Sequence, residues 1–317
     1  METNNFKAAI DSDQLREQRV RTAFLIAIGL AAFVSFVFFL SQHPFPDQIA
    51  KEPEPVVSTV DTYKDVVLTA KAAIVFDLSN GQMLYGKNEQ AQLPLASLTK
   101  LLTVYAAVDT FANNDTIIIS AEALAQEGDT GLIAGERFTL SELARYALVA
   151  SSNDAAAAIS EAAENKRAYS GATLLASAAT AAGLTQTYAV NGTGLDESLT
   201  VSGGYGSAHD VAVLSGGLLA KAPEIVEATT HSSVTVTTLD GRTLTQKNTN
   251  QEVPAVPGAL LSKTGYTDLA GGNLAVVFDA GINHPIAIVV LGSTREGRFT
   301  DVDRLLDATL EKFATMP

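Results

Sequence analysis

The sequence predicts an α+β protein, with one sheet drawn from distant segments, a helical insertion in the middle and an apolar helix ahead of both. Three observations lead there. Strand-like runs lie near 72–85 and again beyond 233, while the stretch between them has mostly helical periodicity. Hairpin signals join the runs, where a β-α-β chain would alternate strands with helices. Residues 22–40, TAFLIAIGLAAFVSFVFFL, hold no charge and only Thr22 and Ser35 as polar side chains.

That apolar run, at about 1.5 Å per residue, spans about 28 Å, close to the roughly 30 Å hydrocarbon layer of a bilayer. A soluble helix would show a polar face, and this one shows none. The following SQHPFPDQIAKEPEP offers no small-residue cleavage site near the apolar end, so a retained transmembrane signal-anchor is expected over 22–40. Arg16, Arg19 and Arg21 precede it, and Lys51 is the next basic residue after it. The positive-inside rule then makes residues 1–21 a short cytoplasmic tail and puts the rest outside. Residues 41–66, with Pro44, Pro46, Pro53 and Pro55, read as an extended extracytoplasmic linker. Residues 67–317 show no further long linker and no repeat, and read as the functional domain.

Within that domain AAIVFDL (72–78) and QMLY (82–85) flank Ser79-Asn80-Gly81, where Asn-Gly suits a tight hairpin turn. A second hairpin is expected over 233–246 around Asp240-Gly241, and a strand and return strand over 260–279. PIAIVVLG (285–292) is a further strand. Helical patterns cover about 98–111, 140–150, 154–164, 171–183 and 301–314, with Thr139 and Glu142 at capping-box spacing.

Composition removes several function classes. A formal charge of −14 argues against nucleic acid, and a substrate with negative groups would need locally placed Lys or Arg. With no cysteine there is no thiol catalysis and no Cys-based metal site. The four histidines lie far apart without ligand spacing, so no metal or cofactor is expected. G-x-S-x-G is absent, which disfavours an α/β-hydrolase.

Three short stretches could hold chemistry instead. In PLASLTKLLTVYAAV, Ser97 and Lys100 are i and i+3 neighbours on one helix face. A serine needs a base within hydrogen-bond reach, and lysine serves once desolvation or a second cation makes it neutral. The plainer reading is an N-cap serine and a surface lysine. In VASSNDAAAA, Ser151 could relay a proton and Asn153 orient a carbonyl, unless Asn153 or Asp154 simply caps a helix. In LLSKTGYTDLAGGNLAVVF, Lys263 and Thr264 supply a cation and a hydroxyl for a carboxylate, and Gly265 lets another backbone approach. Ser-x-x-Lys, Ser-x-Asn and Lys-Thr-Gly in this order form the signature of penicillin-binding proteins and class A β-lactamases.

On those motifs, with AAIVFDLSNGQMLYGKN, NGTGLDE and STREGRFTDVDRLLD, residues 67–317 resemble the D-alanyl-D-alanine carboxypeptidases, low-molecular-mass penicillin-binding proteins of serine peptidase family S11. The resemblance implies a β-lactamase/transpeptidase-like fold, an antiparallel sheet covered by helices with a helical subdomain. It implies a serine DD-carboxypeptidase that removes the terminal D-alanine from peptidoglycan stem peptides and is acylated by β-lactam antibiotics. Ser97 would be the nucleophile, Lys100 its base and Ser151 the proton relay. Asn153 would hold the substrate amide, while Lys263, Thr264 and Arg298 meet its carboxylate. The backbone N–H groups of Ser97 and Tyr266 would form the oxyanion hole beside Gly265, and repulsion among Lys100, Lys263 and Arg298 would help keep Lys100 neutral. Many members carry a C-terminal β-domain and amphipathic tail, whereas the sequence here ends one helix after its last strand, at Pro317, which leaves membrane attachment to the N-terminal span. A DD-endopeptidase would use the same motifs. A class A-like β-lactamase would need Glu197 or Asp196 to activate a deacylating water, although E-x-x-L-N is unmatched. A non-catalytic wall-binding protein would be expected to lack a motif residue, and none is lost.

Overall fold

The computed structural model describes residues 3–42, 61–128, 130–281 and 283–315. The chain divides into two units, Met1–Thr59 and Val60–Pro317.

In the first unit helix α1 runs from Thr3 to Gln42, so it starts within the stretch read as a tail. Its side chains are exposed over 19–36, and Arg19–Phe36 is long and apolar enough to cross a membrane. Residues 43–60 of the expected linker lie outside the described residues.

The second unit is built on a five-stranded sheet. Its strands are β1 (Ala72–Asp77), β2 (Gln82–Lys87), β3 (Ala259–Thr267), β4 (Gly271–Asp279) and β5 (Pro285–Ser293). The spatial order is β3-β4-β5-β1-β2 with every pairing antiparallel, so the hairpin from one end of the domain joins strands from the other. Side chains alternate between the sheet's faces. Ala73, Val75, Leu274, Val276, Ile286, Ile288 and Val290 pack on one side with Val302 and Leu305 of the C-terminal helix. Ala72, Ile74, Ala275, Val277, Val289 and Leu291 face the other core with Leu101 and Leu214. Coverage on both faces explains why AVVF and IAIVVL are continuously apolar.

Among the described residues of this unit, seven helices follow α1: α2 (Thr99–Val108), α3 (Leu140–Val149), α4 (Asn153–Arg167), α5 (Gly171–Ala181), α6 (Ala208–Lys221), α7 (Pro223–Glu227) and α8 (Gly297–Thr315). Helix α2 is buried along almost its whole length, and Lys100 is its one charged residue. At α3 the Thr139 hydroxyl accepts from the Glu142 N–H at 3.2 Å. The Glu142 carboxylate, however, accepts from the Thr237 N–H at 2.9 Å and so ties α3 to the hairpin Ser233–Thr237/Thr243–Lys247. Buried Asp301 on α8 accepts from the N–H groups of Thr69 and Ala70 at 2.9 and 2.8 Å and from the Ser293 hydroxyl at 2.7 Å, joining helix, β5 and the chain entering β1.

Three features differ from the sequence reading. Helices α6 and α7 are absent from the sequence reading; Gly216 and Gly217 weaken the helical signal, and a Cβ at Gly216 would lie 2.8 Å from the tip of the Leu78 side chain, which packs closely on the helix there. Helix α8 begins at Gly297 rather than 301. Tyr63, read as linker, is buried and its hydroxyl meets the Thr309 hydroxyl at 2.9 Å, so the folded unit starts before residue 67.

Candidate active site

Ser97 lies on a single 3₁₀ turn, Ala96–Leu98, that feeds directly into α2. Ala96 holds φ +49°, a left-handed conformation that surrounding packing must maintain. Two glycines supply that packing. A Cβ at Gly265 of β3 would stand 2.8 Å from the Leu95 carbonyl oxygen, and one at Gly194 would stand 2.0 Å from that of Ala96. Only bare backbone fits on either side of the turn.

Lys100, one helical turn on, is fully buried. Its Nζ lies 2.9 Å from Ser97 Oγ, 2.7 Å from Asn153 Oδ1 and 2.7 Å from the Thr193 carbonyl oxygen. The surface-lysine reading is therefore excluded. Burial pushes the Lys100 ammonium down to about 7, poised between base and acid near neutrality.

The break between α3 and α4 presents the next pair. Ser152 caps α4 by accepting from the Ala155 N–H at 3.1 Å, so neither Asn153 nor Asp154 is the cap. Ser151, at φ +57°, accepts from Lys263 Nζ at 2.9 Å. Asn153 holds Lys100 through Oδ1 and donates through Nδ2 to the Glu127 carbonyl at 2.7 Å, which fixes the orientation of its amide.

Strand β3 closes the site. Lys263 is buried and also donates to the Thr264 carbonyl at 2.9 Å. Its pKa falls well below the ordinary lysine value, first through burial and then through the charges of Lys100 and Arg298. Burial is the first cause at both lysines, and the repulsion between them disfavours two full charges in the site. The Thr264 hydroxyl donates to Thr249 Oγ1 at 2.7 Å. Arg298 is 8% exposed, donates through Nη1 to the Gly265 carbonyl at 2.7 Å, and has a buried Nε without a partner among the described residues. Burial first, then Arg295, lowers its pKa.

Outside this cluster opens a cleft of about 700 Å³, lined among others by Asn153, Tyr266, Asp196, Asp268 and Arg295. The Arg295 guanidinium lies 3.8 Å from the centre of the Tyr266 ring. Asp196 accepts from the Thr267 hydroxyl at 3.0 Å, and Glu197 accepts from the Asn191 amide. Among the described residues no carboxylate is hydrogen-bonded to Ser97. Sequence reasoning missed the Thr193 and Glu127 carbonyls, Thr249 and Arg295. The two carbonyls belong to the backbone and leave no side-chain signature.

A serine paired with a buried lysine, with a second Ser–Lys contact joining the α3–α4 break to strand β3, defines a serine acyl-enzyme class. The chain belongs to the D-alanyl-D-alanine carboxypeptidase family, Peptidase S11, whose pattern matches residues 59–295. It is 29% identical over 306 residues to a D-alanyl-D-alanine carboxypeptidase of Bacillus subtilis, covering 95% of this chain and 73% of that one. The crystal structure of a D-alanyl-D-alanine carboxypeptidase from Mycobacterium tuberculosis superposes with a TM-score of 0.68 at 25% identity, covering 79% of this chain and 93% of the other. A penicillin-binding protein of Listeria monocytogenes, in its ampicillin-bound form, gives 0.63 at 25% identity, with 77% and 98% covered. The protein is a serine-type peptidase of the D-Ala-D-Ala carboxypeptidase family, with that family's transpeptidase-like fold.

Proposed function

We propose that Ser97 is acylated by stem peptides ending in D-Ala-D-Ala and releases the terminal D-alanine, with Lys100 as the base. The observation supporting this most directly is the fully buried Lys100 ammonium 2.9 Å from Ser97 Oγ.

As a neutral amine, Lys100 takes the Ser97 hydroxyl proton while Oγ bonds to the carbonyl carbon of the penultimate D-alanine. The developing oxyanion meets the backbone N–H groups of Ser97 and Tyr266, donors whose removal in comparable sites costs about 3–4 kcal/mol. The C–N bond breaks as Ser151, polarised by Lys263, relays the proton taken up by Lys100 to the departing amine, which leaves Lys100 neutral in the acyl-enzyme. Lys100 then takes a proton from the attacking water and returns it to Ser97 Oγ as the ester C–O bond breaks. The substrate carboxylate is met by Lys263, Thr264 and Arg298, a local positive pocket in an acidic protein. Its arrival offsets the charge crowding on Lys263. With one side of Asn153 committed to Lys100, the Nδ2 that now meets the Glu127 carbonyl is the group available to a substrate amide.

The ampicillin-bound form of the Listeria relative supports β-lactam binding by this chain, and Ser97 is the residue such a drug would acylate. A β-lactamase-like deacylation is disfavoured because Asp196 and Glu197 are engaged with Thr267 and Asn191. Helix α1 serves as a membrane anchor over 22–40, with the N-terminus cytoplasmic and the catalytic domain, which begins before residue 67, on the outer face.

The test uses the full chain in detergent with a peptide ending in Lys-D-Ala-D-Ala, measuring free D-alanine. Release by the parent and none by Ser97→Ala supports the assignment. Equal release from both would refute Ser97 as nucleophile, and release only from a cross-linked peptide dimer would make the enzyme an endopeptidase.

A further inference from the structure

The hydrogen bonds around Lys100 contain a constraint that the three motifs do not. Nζ has three oxygen neighbours: Ser97 Oγ, Asn153 Oδ1 and the Thr193 carbonyl. An ammonium has an N–H for each, but a neutral amine has only two N–H bonds and one lone pair. Asn153 Oδ1 and the Thr193 carbonyl can only accept. In the amine state they therefore take both N–H bonds, and the lone pair is left facing the one neighbour with a proton to give, the Ser97 hydroxyl. Once the proton transfers, the same two acceptors face a full positive charge in a dry site.

We propose that Asn191 is the positioning residue that holds the Thr193 carbonyl in this role, and so aims the lone pair of Lys100 at Ser97. The proposal rests on the reading of Lys100 as base.

Asn191 lies outside the three motifs, yet its amide organises the whole turn. Oδ1 accepts from the Thr193 N–H at 3.1 Å, the Thr193 hydroxyl at 2.9 Å and the Gly194 N–H at 2.8 Å. Nδ2 donates to the Leu195 carbonyl at 3.1 Å and to the Glu197 carboxylate. The turn is pinned from α2 as well, where the Thr103 hydroxyl donates to the Gly192 carbonyl at 2.7 Å. Gly194 then presses against the Ala96 carbonyl, so the segment that aims the base also supports the turn bearing Ser97.

The charged groups around Lys100 are few. Lys263 faces it from β3, Arg298 acts on Lys263 from α8, and Asp154 follows Asn153 on α4. Within the loop itself Glu197 is held by Asn191 and Asp196 by Thr267. Asn191→Ala changes none of these charges, so a shift in the pH profile reports the carbonyl.

The experiment follows acylation of the full chain by a fluorescent penicillin across pH about 5 to 9. In the parent, the rate falls below about pH 7 as Lys100 gains its proton. In Asn191→Ala the plateau drops by about 10- to 100-fold, the worth of one hydrogen bond to a charged group. The acidic limb also moves to lower pH, because the ammonium has lost an acceptor. The exchange Asn191→Asp with Glu197→Gln keeps the local charge, the acceptor for Thr193 and Gly194 and the pairing with residue 197, gives up only the donor to the Leu195 carbonyl, and recovers a large part of the lost activity. Asn191→Asp alone sets two carboxylates together and does not recover it. A lower plateau with an unmoved limb, or a folded double variant no better than Asn191→Asp, overturns the proposal. The double variant decides the matter even where Asn191→Ala does not fold. No labelling of the parent would instead overturn the functional reading beneath it.

Discussion

Replacing Gly265 with alanine isolates one steric contact. Gly265 is absent from the residues at positive φ, so alanine adds no backbone strain. Its Cβ would stand 2.8 Å from the Leu95 carbonyl oxygen and 3.3 Å from both Ala96 Cβ and the Leu98 nitrogen. Non-bonded carbon settles at about 3.5–4.0 Å from its neighbours, so strand and turn must part by roughly half an ångström or more. The obstructing atom is backbone and cannot rotate away. Ser97 rides on the displaced turn and the Tyr266 N–H on the displaced strand, so the groups proposed as nucleophile and oxyanion donor separate together. A 1 Å misplacement costs about 100-fold in rate, which puts the loss in acylation at about tenfold or more. Overpacking of this kind destabilises by about 1–3 kcal/mol, or roughly 2–12 °C in a domain of this size. The assay pairs the second-order rate of penicillin labelling with a thermal melt of the full chain. Labelling within twofold of the parent at an unchanged melting temperature would refute the claim that this contact sets the position of Ser97.

Two further outcomes are expected. Lys100→Met abolishes acylation and reveals what the buried amine does to stability. Lys100 sits at about 7 when folded against an ordinary 10.5, so between those values the unfolded chain holds a proton that the folded one lacks, and stability rises with pH. The stability of Lys100→Met relative to the parent therefore falls by about 3–5 kcal/mol between those limits, as read by melts at stepped pH; a constant difference would contradict it. Asp301→Asn turns an amide donor toward groups that themselves donate, Thr69 N–H, Ala70 N–H or the Ser293 hydroxyl. It should cost about 2–4 kcal/mol and lower the melting temperature by roughly 5–15 °C, with the labelling rate of the folded protein retained; a melt within a degree of the parent would refute it.

The strands β4 and β5 were legible as continuous apolar runs because both their faces are covered, and the two hairpins through their turn residues, Asn80-Gly81 and Asp240-Gly241. Helix α6 was not, because Gly216 answers to the Leu78 side chain, a partner more than a hundred residues away. At the site, Lys100 beside Ser97 could be read from spacing, while Lys263 beside Ser151 followed from the family resemblance. What fixes their geometry could not: Ser152 as the cap in place of Asn153, the left-handed Ala96 and Ser151, and the Thr193 carbonyl. Such contributions come from backbone atoms that every residue type shares, and only tertiary structure assigns them.

The pairing of β1 with β5 has a consequence for how the molecule is made. Ala72 lies opposite Leu291 and Asp77 opposite Ile286, so the middle of the sheet is closed by the two ends of the domain. Loop closure over such a distance is slow, and the early hairpin β1–β2 has one face and one edge unsatisfied until β5 arrives. During synthesis that hairpin waits for almost the entire remaining chain, and Lys263 reaches Ser151 only after strand β3 has been added. Catalytic competence therefore appears late and all at once, and a chain interrupted before residue 285 leaves behind an unpaired, adhesive strand edge.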